Sequence, residues 1–544
     1  MKVMQAEEKT DLKSWLAMVE QLRQAPEWTH DELPIEMKQT HISVLLLGRK
    51  HVVKLKKPVD FGFLDYTTLQ KRRQACEEEV RLNRRLCPDT YIGTGNVVEV
   101  DGQFRFSGSA GKIVDSCVWM NRLPDERMLD QLVARKQVTE TMMNRVADRL
   151  HRFHSTALRG PEVAKWGSPT EIHHNWEENF VQTEPFVGRT ISAEAFQSIR
   201  AWVSKWLEKT ELFNRRLREG WIVDGHGDVR CESICVNDDA ICIYDCIEFN
   251  DRFRCDDVAS EAAFLAMDLD ARGRPDLGYY FTEAYGGRTG DKDFFTLLPF
   301  YRCYRAFVRG KVLSFRLNET EFSEDERSTA TKRATDYFEL ARRYALPLRQ
   351  STIIAVSGFS GTGKTSIARA IAGELGFRVV SSDAMRQSLF GETKHAASYG
   401  EGAYSDEANR LTYQKLIGEA DSLFRESGEV VLDATFLLPE HRQMVVEMAQ
   451  AANAEYRFIQ CHLTPELTRS RLAKRAVLGN GLSDASWQTY LRQQETAKGL
   501  GQETDRNCLV LNTSGDLLTV AHQATDWLRQ QEIIGNKPHP EQSK

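Results

Sequence analysis

Residues 358–365 read GFSGTGKT, a pattern suited to gripping a polyphosphate. It fits G-x-x-x-x-G-K-[ST] at every fixed position, follows the apolar run TIIAVS and precedes SIARAIAGEL, so a strand leads in and a helix leads out. Gly358, Gly361 and Gly363 let the N–H groups around Ser360 and Thr362 converge on phosphate oxygens, and the positive end of the next helix adds a favourable field. Lys364 is expected to reach the β and γ phosphates and Thr365, next to Ser366, to offer a hydroxyl to Mg²⁺, which makes ATP with Mg²⁺ the expected ligand. Two acids end later apolar runs: Asp383 in RVVSSDAMR, with Arg386 three residues on, and Asp433 in EVVLDATF. In open α/β sheets ligands gather at the carboxyl edge, where both would stand. TPELTRSRLAKR places Arg471 and Arg475 at i, i+4 on one helical face, from which cations can meet a transferring phosphoryl group.

A second constellation begins at HGDVRCES, residues 226–233. It precedes ICV and AICIYD, two short runs joined by the turn Asn237-Asp238-Asp239. Asp228 and Asp245 can therefore point into one cleft from either side of a tight hairpin. Far upstream, Lys54 lies in HVVKLKK and Glu79 in the helix-like KRRQACEEEVRLNRRL, with Glu78 as a close rival.

Different elements must carry the two groups. HISVLLL and HVVKLKK flank Gly48-Arg49-Lys50, and VVEV and QFRF flank Asp101-Gly102, which reads as two hairpins around one helix. From about 125 to 345 the pattern is mostly helical. Pro347 discourages continuation, so a boundary is expected near 347–351, beyond which short apolar strands alternate with helices. The tail GNKPHPEQSK is polar and expected to be disordered.

With these residues in view, the C-terminal part resembles the P-loop small-molecule and polynucleotide kinases, a group that includes gluconate-type and zeta-toxin-like kinases. The resemblance implies that Asp383 acts as base on an acceptor hydroxyl with Arg386 beside it, that Asp433 helps organise Mg²⁺, and that Arg471 and Arg475 belong to a lid. The HGDVRCES region resembles the aminoglycoside phosphotransferase family, relatives of protein kinases. That likeness implies Asp228 as the proton acceptor, Arg230 near the γ-phosphate, Asp245 on Mg²⁺, and a Lys54–Glu79 pair orienting the phosphates. Residues 118–124, VWMNRLP, then resemble the hinge bordering adenine, with Met120 in it. Where that family has asparagine as a second metal ligand this chain has Ser233. The Gly48-Arg49-Lys50 turn would have to cover the phosphates.

The expected fold is an α+β bilobal protein-kinase-like domain followed by an α/β P-loop NTPase domain with a mainly parallel sheet. Its parts are residues 1–347 (small lobe about 35–123, large lobe about 124–345), residues 351–532, and a tail 533–544. The whole resembles the bifunctional aminoglycoside phosphotransferase/ATP-binding proteins, which implies transfer of the γ-phosphoryl of ATP to a small-molecule hydroxyl. Ser233 motivates a rival, an N-terminal pseudokinase that regulates the P-loop half. A polynucleotide or RNA kinase is a third reading.

Composition bears on these alternatives. The 544 residues carry 72 basic and 78 acidic side chains, a net charge of -6, so there is no broad attraction to nucleic acid or an anionic membrane. The apolar runs are far short of the roughly 20 residues that span a bilayer. Eleven cysteines without a C-x-x-C pair, and an acidic N-terminus, read as a cytoplasmic protein with reduced thiols. Cys231, Cys235, Cys242, Cys246 and Cys255 crowd one region without zinc spacing and are expected to pack as small apolar groups. Arg302, Arg305 and Arg309 are expected on an amphipathic lobe helix.

Overall fold

The computed structural model describes residues 9–62, 64–106, 111–318, 323–391, 402, 405–478, 486–497 and 507–535, the side chains of 475–478 and 533–535 excepted. By packing, the chain forms two compact units. One gathers Met1–Val138, Arg149–Ile172 and Thr210–Glu261; the other gathers Thr139–Asp148, His173–Lys209 and Ala262–Lys544.

In the first unit, β1 (Glu36–Gln39), β2 (Ser43–Leu47), β3 (His51–Lys56), β4 (Tyr91–Val100), β5 (Gln103–Phe106) and β6 (Lys112–Asn121) form an antiparallel sheet in the order β1-β2-β3-β6-β4-β5. Both expected hairpins are present, β2 with β3 and β4 with β5. Alternation along β3 sends Val53 and Leu55 into a core with Trp15, Val19 and Leu22 of the helix Leu12–Leu22, which the sequence reading did not assign. Val52, Lys54 and Lys56 therefore face the other way, toward the helix Leu69–Asn83, whose Cys76 and Val80 pack with Val52, Val118 and Met120. Beyond the sheet come β7 (Ile222–Asp224), β8 (Ile234–Val236), β9 (Ile241–Ile243) and β10 (Cys255–Asp257). β7 pairs with β10 and β8 with β9, framing the 225–233 loop and delivering Asp245 just after β9.

One cysteine expectation is corrected here. Cys87 and Cys242 form a disulfide, so the thiols are not all reduced. The two sulfurs meet because the segment after the helix Leu69–Asn83 and strand β9 share one buried cluster, a meeting across 155 residues that no local spacing announces. Cys231, Cys235, Cys246 and Cys255 are buried and lie outside that disulfide.

In the second unit, β11 (Thr352–Ser357), β12 (Val379–Ser381), β13 (Glu429–Asp433), β14 (Glu455–His462) and β15 (Cys508–Asn512) are parallel, in the order β12-β13-β11-β14-β15. β11 is buried along its whole length, as a central parallel strand must be. One sheet face packs Ile354 and Val356 against Ile367 and Ile371 of the helix Lys364–Leu375, and the other packs Ile353 and Ala355 against Leu416 and Val445. The first strand starts at Thr352, just after the expected boundary, but the packing does not divide there. Tyr279, from the helix Pro275–Thr289, sits in the same core as Ile367 and Leu375, and its hydroxyl accepts the Val379 N–H at 2.8 Å. Arg302 donates to the Gly373 carbonyl at 2.8 Å, and Arg343 and Arg529 both pair with Glu374. The final helix, Leu517–Gly535, runs into the expected tail, and residues 536–544 lie outside the described residues. Among the described residues no helix is long and apolar enough to cross a membrane.

Candidate nucleotide sites

The phosphate-binding loop leaves β11 and closes on the helix Lys364–Leu375. Gly358 has φ +138°, and a Cβ there would lie 2.6 Å from the Cys461 carbonyl oxygen, so glycine alone fits. The loop is tied from outside itself: the Ser360 N–H donates to Gln493 Oε1 at 2.8 Å, and the Thr513 hydroxyl donates to the Thr362 carbonyl at 2.6 Å. Arg471 donates to the Thr513 carbonyl at 2.5 Å and lies 3.1 Å from where a Cβ on Gly363 would be, which places it beside the loop. Arg475 follows on the helix Pro465–Leu478, with its side chain outside the described residues.

Asp433 ends β13 in register with Val356 of β11 and Ser381 of β12, which sets its carboxylate at the loop's edge of the sheet. Burial raises its pKa, opposed by the Lys364 ammonium and the Thr365 hydroxyl and reinforced by the neighbouring carboxylate of Asp383. Its Oδ1 is buried without a hydrogen-bond partner. Asp383 opens the helix Ser382–Phe390, and Arg386 is buried one turn on. An orphan carboxylate oxygen beside a threonine hydroxyl fits a small hard cation that arrives with phosphate. Among the described residues no group of three or more His, Cys, Asp or Glu could hold a metal unaided, so phosphate and water oxygens would complete such a shell.

In the first unit Lys54 Nζ donates to Glu79 Oε1 at 2.8 Å and to Asp245 Oδ1 at 2.6 Å. Glu79, not Glu78, is the partner. On the helix Leu69–Asn83 it shares the buried face with Arg72, Cys76 and Asn83, whereas Glu78 pairs with Arg81 at the surface. A buried ion pair explains why a carboxylate stands on that buried face. Burial alone would lower the Lys54 pKa, but Asp245 and Glu79 carry it well above its ordinary value. Lys54 in turn holds Asp245 down to about 2. Asp245 adopts φ +64°, a conformation uncommon outside glycine, and its side chain stays 54% exposed.

The loop carrying Asp228 is built from the backbone outward. Gly227, at φ +85°, leaves no room for a Cβ, which would lie 2.7 Å from the Phe253 carbonyl. His226 Nδ1 accepts the Asp228 N–H at 3.2 Å, so Nε2 carries the hydrogen and donates to the Tyr244 carbonyl at 3.0 Å. Burial lowers the pKa of that imidazole. Glu261 Oε1 accepts the N–H groups of both His226 and Gly227. Arg230 grips both oxygens of Asp228, at 2.6 and 2.8 Å. The Ser233 hydroxyl accepts the Arg230 N–H at 3.0 Å and faces the Asp228 and Arg230 carbonyls, so it shapes the loop's own backbone.

Met120 lies near the end of β6 in the apolar cluster with Val52 and Tyr91, where a hinge would border adenine. The Gly48-Arg49-Lys50 turn is not placed to cover phosphates. Arg122 donates to the Gly48 carbonyl and its N–H to the Lys50 carbonyl, which fastens the turn at the Met120 end of β3; residues 40–42, between β1 and β2, lie at the Lys56 end. The arginines at 302, 305 and 309 are structural: Arg302 is buried against Asp270, Arg305 stacks over Phe264 and Arg309 over Tyr337. The sequence reading missed Glu261, Gln493, Lys56 and Glu248. Glu261 alone left a trace, as a charge inside the otherwise apolar VASEAAFLA.

Against known proteins, the family model described as "AAA domain" matches residues 353–500. Over 462 residues the chain is 31% identical to Uncharacterized protein Rv2004c of Mycobacterium tuberculosis, covering 84% of this chain and 89% of that protein. The chain belongs to that protein's family. Among solved structures, a choline/ethanolamine kinase family protein from Mesorhizobium loti matches 61% of this chain and 98% of its own, at 10% identity and a TM-score of 0.35. A gluconokinase from Sinorhizobium meliloti matches 35% of this chain and 100% of its own, at 19% identity and a TM-score of 0.28. Within this chain Lys54, Glu79 and Asp245 lie in the first unit, and residues 358–365 lie in the second, inside the stretch that the family model matches.

Proposed function

We propose that the chain is an ATP-dependent phosphotransferase with two nucleotide sites, each passing the γ-phosphoryl to a hydroxyl of a small-molecule acceptor. The orphan Asp433 oxygen beside Thr365 and Lys364 carries this reading, because a buried carboxylate oxygen without a hydrogen-bond partner suits a cation that comes with a phosphate tail. In the C-terminal site Lys364 and the loop N–H groups hold the tail, and Thr365 with Asp433 would hold Mg²⁺. Bound Mg²⁺ supplies neutralisation of phosphate charge. Asp383 accepts the proton of the acceptor hydroxyl, while Arg386 and Arg471 spread the charge on the moving phosphoryl group. The bond from γ-phosphorus to the bridging oxygen breaks, one to the acceptor oxygen forms, and ADP leaves. In the N-terminal site Lys54, held by Glu79, takes the phosphates, Asp245 the metal, and Asp228 the hydroxyl proton. The net charge of -6 favours small acceptors over nucleic acid.

A second reading has its own support. Arg230 occupies both oxygens of Asp228 and Ser233 is engaged with its own loop, which favours an N-terminal half that binds nucleotide and governs the other half without transferring. The intact chain, Lys364→Ala, and Lys364→Ala with Asp228→Asn would be incubated with ATP and a panel of sugars, nucleosides, amino alcohols and aminoglycosides, following product mass and ADP. Transfer surviving in the single variant and lost in the double supports two transferring sites. Nucleotide binding without transfer in the single variant supports the second reading. Full transfer with the parent's acceptors in Lys364→Ala would overturn the C-terminal assignment.

A further inference from the structure

We propose that Lys56 is a positioning residue of the N-terminal nucleotide site, a second lysine that fixes the first; this rests on the reading that Lys54 receives nucleotide phosphates there. Two residues apart on β3, Lys54 and Lys56 project from the same face toward Glu79. Glu79 divides its carboxylate between them: Oε1 takes Lys54 at 2.8 Å, and Oε2 faces Lys56 at 2.5 Å as an ion pair that is not aligned as a hydrogen bond. Lys56 also pairs with Glu248, which accepts from the Tyr66 hydroxyl at 2.7 Å, and its ammonium lies 5.5 Å from the Tyr66 ring centre. Lys56 and Glu79 are wholly buried and Glu248 is 4% exposed.

An unbroken row of alternating charge results: Asp245, Lys54, Glu79, Lys56, Glu248. Its two ends sit three residues apart in the chain, so the row is anchored twice to the segment that presents Asp245. Burying a lysine costs several kcal/mol unless its partners are well placed, and packing alone would be served as well by an apolar side chain. What Lys56 adds is geometry and charge balance. It stops Glu79 from turning, and so fixes the carboxylate that aims Lys54. It also cancels one of three negative charges around a pocket meant for an anion. Burial lowers the Lys56 pKa, but Glu248 and Glu79 together carry it above the ordinary value, so it remains a cation there.

The test uses the full chain with Lys364→Ala, which removes the lysine of the other site, and titrates the non-hydrolysable ATP analogue AMPPNP with Mg²⁺ by calorimetry. Lys54→Met in this background should abolish binding. Lys56→Met, which keeps the aliphatic stem, should weaken it about tenfold, with a steeper salt dependence because Glu248 is left uncompensated. Adding Glu248→Gln to Lys56→Met should recover at least about half of that loss on a logarithmic scale, which a packing role would not do. Loss on Lys54→Met with Lys56→Met within about twofold of its parent overturns the role of Lys56, whereas unchanged binding on Lys54→Met overturns the reading of the site itself. If Lys56→Met fails to fold, as judged by near-ultraviolet circular dichroism, Tyr66→Phe decides: it frees Glu248 from one hydrogen bond and should weaken binding about threefold, and no change overturns the proposal.

Discussion

Replacing Glu261 by glutamine should loosen the loop that carries Asp228 by an amount the structure sets. Glu261 is 1% exposed, accepts the His226 N–H at 2.5 Å and that of Gly227, and faces His154 Nε2 at 2.7 Å. Burial alone would push its carboxyl up; the hydrogen bond and charge of His154, with the loop's own groups, bring it instead from 4.5 to about 2. At about 1.36 kcal/mol per pKa unit, ionisation of Glu261 favours the folded chain by about 3 kcal/mol at neutral pH. Because the folded pKa is depressed, this stabilisation is present above the unfolded value near 4.5 and is lost as the pH falls toward about 2. Glutamine has nearly the same shape and keeps an acceptor for both N–H groups but sets its NH2 against His154, so it is the pH-dependent part of the comparison that isolates the charge. In urea unfolding followed by tryptophan fluorescence, the gap between parent and Glu261→Gln should be about 3 kcal/mol at pH 7 and about 2 kcal/mol at pH 3.5. A gap that does not change with pH, or one under about 0.5 kcal/mol at pH 7, would refute the reasoning.

Further outcomes follow from other parts of the molecule. Asp433→Asn should raise the Mg²⁺ concentration needed for AMPPNP binding at the C-terminal site by about tenfold. Because burial raises the Asp433 pKa, the parent should also lose Mg²⁺-dependent affinity as the pH falls while the asparagine variant stays flat; parallel pH profiles would contradict this. Alkylation of the unfolded chain without reductant should label nine of the eleven cysteines and all eleven after reduction, and eleven in both would contradict the Cys87–Cys242 bond. Arg302→Met leaves Asp270 buried without its cation and should destabilise the second unit by about 3 kcal/mol, read as a lowered thermal midpoint.

What the sequence made legible was local. The phosphate-binding loop, its flanking strand and helix, and both hairpins of the first sheet depend on neighbours within a dozen residues, and glycine and turn chemistry announces them. Lys54 and Asp245 could be located because each stands at a fixed place on a strand or just after one. Illegible features depended on which distant surfaces meet. Glu79 could not be separated from Glu78 until the helix Leu69–Asn83 was set against β3, since one residue turns a helix by about 100°. Lys56 could not be paired from the sequence because its partner Glu248 lies 192 residues away. The packing of 262–345 with the P-loop sheet rests on Tyr279, Arg302 and Arg343, none of which differs in sequence from an ordinary helix residue.

The most direct measurement is the stoichiometry of AMPPNP binding to the intact chain with Mg²⁺ by calorimetry. Two equivalents are expected, falling to one in Lys364→Ala and one in Lys54→Met, and to none when both are combined. A single equivalent in the intact chain, or none, would contradict the presence of two nucleotide sites.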